Sequence, residues 1–593
     1  MKGAARWLAI AAAALGSAVR PMALGAQDTL ATSVTAAAAD SARRSDLACQ
    51  GQAISAIEVR REAPRVIGRN APPWRRAILS VLLQHRTTRP EVVRDLVALD
   101  EGRPCTTLAR DETERVLRAQ PFLADARVRA EPDAAGQGTR LVVETEDEIP
   151  LILGLSLSGS RLTSFRYGNA NVLGTGQLAS LRWRDGRAFR DGVDARYAHY
   201  HLFNGPNTLA VQLERAPLGD NVVFALAHPF LTPLQRVAMQ AEYREEDGYR
   251  DFLRFDRPSR SLAMRRRQLS AGAVYRVARA GGGALSGVFA GALGTYEYVN
   301  TGDESVHIDD RGIAPDPDPL LADRYGDFDR TRIAGVLGVS ALGFLRVQGF
   351  DALEGAQDVG RGVQVTLRGG PQTGGGDAQA FGGVDLYAGA GGRSSFVGLR
   401  LDVEGESRAG VGNWGEVIAS GRVAWYRKPA ARRTVVFSGE YSGAWNARVP
   451  YQVTLADRRG GLIGYRKSDL AGARRLVGRG EHRWSFRRGS SSLVGFGGAL
   501  FAQVGKTWAG DVPYGVTTNG RASVGLGLLG AVPRNSRRLL RADLAFPLAA
   551  DPGVRWWEFR FSTSVPVRSF WREPSDISRA RSAAPATDLF TWP

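Results

Sequence analysis

From Pro150 onward the chain alternates apolar and polar residues with a period of two, in one segment after another, with almost no helical pattern between them. Ala179, Leu181 and Trp183 alternate with Ser180, Arg182 and Arg184, and Val435, Phe437, Tyr441 and Trp445 with Thr434, Ser438, Glu440 and Ser442. Leu540, Ala542, Leu544 and Phe546 alternate with Arg541 and Asp543, and Trp557, Phe559 and Phe561 with Glu558 and Arg560. A strand sends successive side chains to opposite faces, so each segment has one apolar face and one that needs water or an ion-pair partner. Repeated through most of the chain, these rows are the pattern of a transmembrane β-barrel, with lipid outside and water within. Beyond the first residues no stretch offers the roughly 18 continuous apolar residues of a spanning helix, so any membrane is crossed by strands.

Composition agrees. The 593 residues are 44% hydrophobic and 23% charged, which fits neither a disordered chain nor a bundle of membrane helices. The 71 glycines suit tight turns and bent strands and oppose helix. Hand counting gives about 20 segments, so the expected fold is an all-β barrel of at least about 16 antiparallel strands. Gly205-Pro206, Gly281-Gly282-Gly283 and Pro429-Ala430-Ala431 read as short connections, and 301–330, 405–415 and 446–480 as long external loops. The formal net charge is +18, but the arginines are spread singly along strands. That distribution suits a solvated lumen and loops facing anionic lipopolysaccharide and opposes nucleic-acid binding.

The chain before the barrel reads in three parts. Met1, Lys2 and Arg6 followed by the apolar run Trp7 to Val19 have the form of a secretory signal, expected over 1–26. Residues 27–48 read as a flexible tail. Residues 49–148 read as a small α+β domain. Its first strand includes Ile54 to Arg60, and a helix after Pro72-Pro73 carries Trp74, Ile78, Val81 and Leu82. A second helix carries Val92, Val93, Leu96 and Val97, and a third, capped by Thr107, carries Leu108, Val116 and Leu117. Strands over 126–130 and 140–145 complete the domain. Cys49 and Cys105 are the only cysteines, and in an exported chain one disulfide between them is expected. Leu47-Ala48-Cys49 superficially resembles a lipidation site, but no apolar run precedes it.

Leu99-x-x-Gly102, Asp111 to Leu117, Pro121-Phe122 and Val128 resemble a polypeptide-transport-associated (POTRA) domain. Two barrel motifs extend the likeness. Asn171, Leu173, Gly174 and Gly176 look like an Asn-x-Leu-Gly-x-Gly turn early in the barrel. Gly461, Leu462, Ile463, Gly464, Tyr465 and Arg466, followed by Glu481 and Arg483, look like a loop folded back into the lumen and the wall strand after it. Together they resemble the BamA and TamA superfamily, which includes the two-partner-secretion transporters. The resemblance implies one POTRA domain, an outer-membrane barrel over 150–566 and a periplasmic tail over 567–593. It implies insertion of outer-membrane proteins or translocation of polypeptides without a cofactor. Implied partners are unfolded or β-rich polypeptide clients, outer-membrane lipid and lipopolysaccharide, and periplasmic accessory proteins. A client is expected first on the POTRA sheet edge around Ile57 and Val142, then at a seam between Leu151–Ser158 and Arg555–Val565.

The sequence departs from that family at the loop tip, where Ile463 stands in place of an arginine that pairs with acidic wall groups. Either Arg466 or Arg459 takes its place, with Glu481 as wall partner, or the loop is held differently. The single POTRA domain and the lost arginine raise an alternative, a passive pore or surface receptor barrel. The aspartates over 309–329 lack a fixed calcium-loop spacing, His199 and His201 have no third ligand in view, and no nucleophile motif or phosphate loop is found, so no metal, cofactor or catalytic residue is assigned.

Overall fold

The structure is a computed structural model. It describes residues 48–64, 72–74, 78, 83–133, 138–158, 161–278, 286–376, 378–408, 414–456, 460–486, 494–564 and 573–581. The expected signal segment and nearly all of the tail after it lie outside these residues.

The first domain is built from β1 (Gln50–Glu62), α1 (Pro90–Arg94), β2 (Pro104–Thr106), α2 (Thr107–Ala119), β3 (Leu123–Pro132) and β4 (Thr139–Asp147). The sheet order is β2-β1-β4-β3. β1 and β4 are parallel and central, with Glu58 opposite Val142. The strand of Val142 is therefore no edge. β2 pairs β1 only over Gln50–Ala53, so among the described residues the outer side of β1 beyond Ile54 has no partner strand. α2 is capped one residue earlier than expected, because the Thr106 hydroxyl accepts from Ala109 N at 3.3 Å. Val116 and Leu117 meet Ile54, Val92, Val93, Leu123, Leu141 and Val143 in one core. Cys49 and Cys105 are disulfide-bonded with Cα atoms 4.8 Å apart, joining the start of β1 to β2. Trp74 and Ile78 are exposed rather than packed, and Val81 and Leu82 lie outside the described residues.

Beyond Pro150, twenty-one strands among the described residues form one closed antiparallel sheet running from Leu151–Ser158 to Glu558–Ser564. One of them, Gly312–Asp316, is a spur paired with Ser286–Asp309, which itself pairs on with Phe328–Gln348, so twenty make the wall. Residues 301–330 are thus largely strand extension and a short helix rather than an open loop. The expected aspartate tract is used locally: Asp316 meets Arg260 at 2.7 Å, and Asp327 accepts from Thr301 N at 2.7 Å.

The wall is inside out relative to a soluble protein. Along Phe328–Gln348, Ile333, Leu337 and Val339 are 63%, 60% and 52% exposed, whereas Arg330 and Arg332 on the opposite face of the same strand are 2% and 5% exposed. Apolar side chains facing out and guanidinium groups facing in fit only a lipid exterior and a polar lumen. Buried charge is tolerated because it is paired: Arg330 meets Glu297, Glu406 and Glu416, and Arg368 meets Glu404 at 2.9 Å. Wall height is uneven. The two closing strands have 8 and 7 residues, against 22, 24 and 21 in Arg257–Ala278, Ser286–Asp309 and Phe328–Gln348.

Candidate functional site

Short connections at one end of the barrel meet the α+β domain. Arg118 in α2 pairs with Asp358 at 2.7 Å, and Glu114 with Arg346 at 2.9 Å. Asn535 donates to Glu146 at 2.8 Å, Ser536 to Glu148 at 2.7 Å, and Arg538 to the Ile149 carbonyl at 2.9 Å. Burial pushes the Glu148 carboxyl up from its ordinary range, against the pull of Arg538.

The early barrel turn is part of this junction, which explains its glycines. Asn171 donates from Nδ2 to the Thr88 hydroxyl at 2.9 Å, and its Oδ1 accepts from Gly176 N at 2.8 Å. Thr88 in turn donates from its backbone N and Oγ1 to buried Asp147 at 2.9 and 2.6 Å. Gly174 has φ +73°, and a Cβ there would lie 2.4 Å from the Thr87 carbonyl oxygen. Gly176 has φ +64°, and its Cβ would lie 2.9 Å from His201 and Val92. The motif keeps the backbone thin where the domain presses on it. Leu173, by contrast, is exposed. His201 contacts Asp95 and the Thr175 carbonyl at 3.0 and 2.7 Å, a bridge between domain and barrel.

The loop over 446–473 leaves the far end of the wall and folds back inside. Gly461 admits the fold: its Cβ would lie 2.0 Å from the Leu455 carbonyl oxygen, and Leu462 N donates to that oxygen at 2.9 Å. Gly464 has φ +98° and lies against Pro547 and Ala545 of the wall. Leu462 and Tyr465 pack with Val477, and the Tyr465 hydroxyl donates to the Ala522 carbonyl at 3.1 Å. Ile463 packs on Phe501 and Ala545, and its carbonyl accepts from the Ser523 hydroxyl at 2.8 Å. Arg466 N donates to Glu558 on the last strand at 3.1 Å. The tip is seated on the five strands that follow it, Arg474–Ser485 to Glu558–Ser564.

Arg466, one of the two arginines expected to replace the loop-tip arginine, is exposed and does not do so; Arg459, the other, lies outside the described residues. Glu481 pairs instead with two wall arginines, Arg483 at 3.0 Å and Arg541 at 2.6 Å. Arg541 also meets Asp543 at 2.6 Å, and its guanidinium lies 5.4 Å from the centre of the Phe501 ring, the ring on which Ile463 packs. A wall arginine and an apolar tip thus share Phe501. The alternation marks Arg541 and Asp543 as inward-facing, but only the register across neighbouring strands brings them to Glu481.

Residues 573–581, part of the stretch expected as a periplasmic tail over 567–593, lie inside the barrel, and the rest of that stretch lies outside the described residues. Residues Glu573–Arg581 include a short helix, Ser575–Ala580, and lie among inward-facing wall residues. Ile577 is fully buried with Ile418, Ala444, Tyr451 and Val453, and Arg581 is ion-paired to Asp402 at 2.5 Å.

No protein-family model and no curated protein matches the sequence. Among solved structures, the chain is similar to BamA from Haemophilus ducreyi lacking POTRA domains 1–3, at 11% identity and a TM-score of 0.39, covering 86% of this chain and 85% of that one. It is also similar to CdiB from Acinetobacter baumannii, at 9% identity and a TM-score of 0.40, covering 87% and 74%. For CdiB from Escherichia coli the identity is 9% and the TM-score 0.37, covering 92% and 93%.

Proposed function

We propose that this chain is a bacterial outer-membrane protein of the BamA and TamA type, with its α+β domain a periplasmic POTRA domain, that inserts outer-membrane proteins or translocates polypeptides. The observation that carries the reading is a strand edge, open among the described residues, on a domain seated at the mouth of a barrel. Ile57 N donates to the Glu101 carboxylate at 3.1 Å on the side where β2 ends. By alternation Val59 and Arg61 direct their N–H groups to that same side. An unfolded client strand has the complementary need, since its unpaired backbone groups are costly in lipid, and adding it to this edge is β-augmentation.

The barrel supports a second pairing. β4 leads directly into Leu151–Ser158, which closes on Glu558–Ser564. A seam of 8- and 7-residue strands holds fewer ladder hydrogen bonds than the far wall, each worth about 1 kcal/mol net in water. It is the cheapest place to open the sheet. Lipid and lipopolysaccharide surround the wall, and periplasmic accessory proteins would meet the domain.

The competing reading is a passive pore or receptor barrel with the domain as a stopper, favoured by the ion pairs Arg118–Asp358 and Glu114–Arg346 across the mouth. Titrating a labelled, unfolded β-strand peptide against the full chain in lipid nanodiscs separates the two. Saturable binding weakened about tenfold by Val59→Pro, roughly 1.4 kcal/mol, supports polypeptide handling. Folded protein that binds no peptide supports the passive barrel.

A further inference from the structure

We infer that Asp402 and Glu404 on the lumen wall form a recognition site for an arginine carried on a short polypeptide segment, and that residues Glu573–Arg581 fill it as a releasable plug. Arg581 places Nη2 2.5 Å from Asp402 and Nη1 3.3 Å from Glu404, with Glu573 of the same segment 2.6 Å away. Its carbonyl accepts from Arg266 at 2.7 Å and from Gln268 at 2.9 Å, and Arg266 also donates to the Arg579 carbonyl. Four residues before Arg581, Ile577 fills an apolar recess. At the other end the Ser420 hydroxyl donates to Glu573 at 2.7 Å, and Arg475 meets Asp576 at 3.5 Å. Wall side chains thus bind backbone carbonyls, two carboxylates, one apolar side chain and one guanidinium. Donors aimed at carbonyls serve any peptide, while the four side-chain positions select among them.

Two features make the occupant exchangeable. A six-residue helix has no stability of its own, so the segment is held by the wall alone. The acids also keep a cation when it leaves, because Arg368 already lies 2.9 Å from Glu404 and 3.6 Å from Asp402. Release leaves the two carboxylates sharing one guanidinium rather than none, which lowers the cost of breaking the buried pairs. An arginine-bearing segment entering the lumen meets the same donors and acids. The plug rests on the closed barrel alone, and the incoming polypeptide on the function proposed above.

The test is conductance of the full chain in planar bilayers. Arg581→Glu together with Ile577→Asp sets like charges against Asp402 and a carboxylate in the apolar recess. A loss of roughly 3 kcal/mol lowers plug occupancy about 100-fold, and conductance rises accordingly. Arg581→Gln, which keeps most of the volume, gives a smaller rise in the same direction. A synthetic peptide of residues 573–581 added to the opened variant restores closure, and the same peptide with Glu at its last position does not. Folded variants that conduct like the parent overturn the plug, and equal block by both peptides overturns arginine recognition. Absence of client binding at β1 would leave these outcomes intact, so the two readings fail separately.

Discussion

Exchanging Ile463 and Arg541 tests how the lumen loop is held. Arg541 has 13% of its side chain exposed and spans Glu481 and Asp543, at 12% and 0%. Arg541→Leu removes both ion pairs and the contact with the Phe501 ring. Breaking a buried pair costs about 3–5 kcal/mol, and the lower end applies because Glu481 keeps Arg483 at 3.0 Å. Ile463→Arg alone overfills the recess of Phe501 and Ala545 and brings a second guanidinium beside the first, costing roughly 1–3 kcal/mol. In the double variant Ile463→Arg/Arg541→Leu, one guanidinium again lies between Phe501 and Glu481, now reaching from the loop. The pair should then be less destabilised than the sum of the singles by about 1.5 kcal/mol. The assay is equilibrium urea unfolding of the four proteins in detergent, with the folded barrel followed by its gel mobility. Additivity to within about 0.5 kcal/mol refutes a shared site on Phe501.

Three further outcomes follow from the junction and the α+β domain. Gly174→Ala forces a Cβ to 2.4 Å from the Thr87 carbonyl oxygen at φ +73°, so amide exchange over 83–89 and 171–176 should accelerate, reflecting a loss of roughly 1–3 kcal/mol; unchanged exchange contradicts the close contact. Replacing Cys49 and Cys105 by Ser, 56 positions apart in sequence, should cost the α+β domain about 4 kcal/mol in denaturant titrations, and a loss below about 1 kcal/mol contradicts that figure. The raised Glu148 carboxyl binds its proton more tightly when folded, so its contribution is fully present below the ordinary carboxylate value of 4.5 and is lost as pH rises through the raised value. Glu148→Gln should flatten that slope in a pH series of domain-barrel docking, and an unaltered slope assigns it to another group.

The wall was legible because its signal is local. Leu181 and Trp183 alternate with Ser180, Arg182 and Arg184 within one strand, and period two needs no knowledge of neighbours. The loop tip was legible as a departure, because Gly461 and Gly464 mark a backbone that only glycine allows while Ile463 cannot pair with acid. The wall partner was not, since Arg541 reaches Glu481 only through register summed over several strands. Nor was the course of Glu573–Arg581. Its composition is that of a solvated tail, and only the acids on distant strands, Asp402 and Glu404, make a buried Arg581 favourable. Sheet order decided the domain edge, because the alternating strands around Ile57 and Val142 look alike whether central or open.

The central claim is that polypeptide clients pair with this chain at β1 and at the barrel seam. Its most direct test is photocrosslinking in cells, with the reactive group placed in turn at Val59 on β1 and at Leu155, 70% exposed, on the first barrel strand. Adducts to unfolded outer-membrane or secreted chains at both positions are the predicted result. Well-folded protein at native level that gives no polypeptide adduct at either position contradicts the account and leaves the passive or receptor barrel.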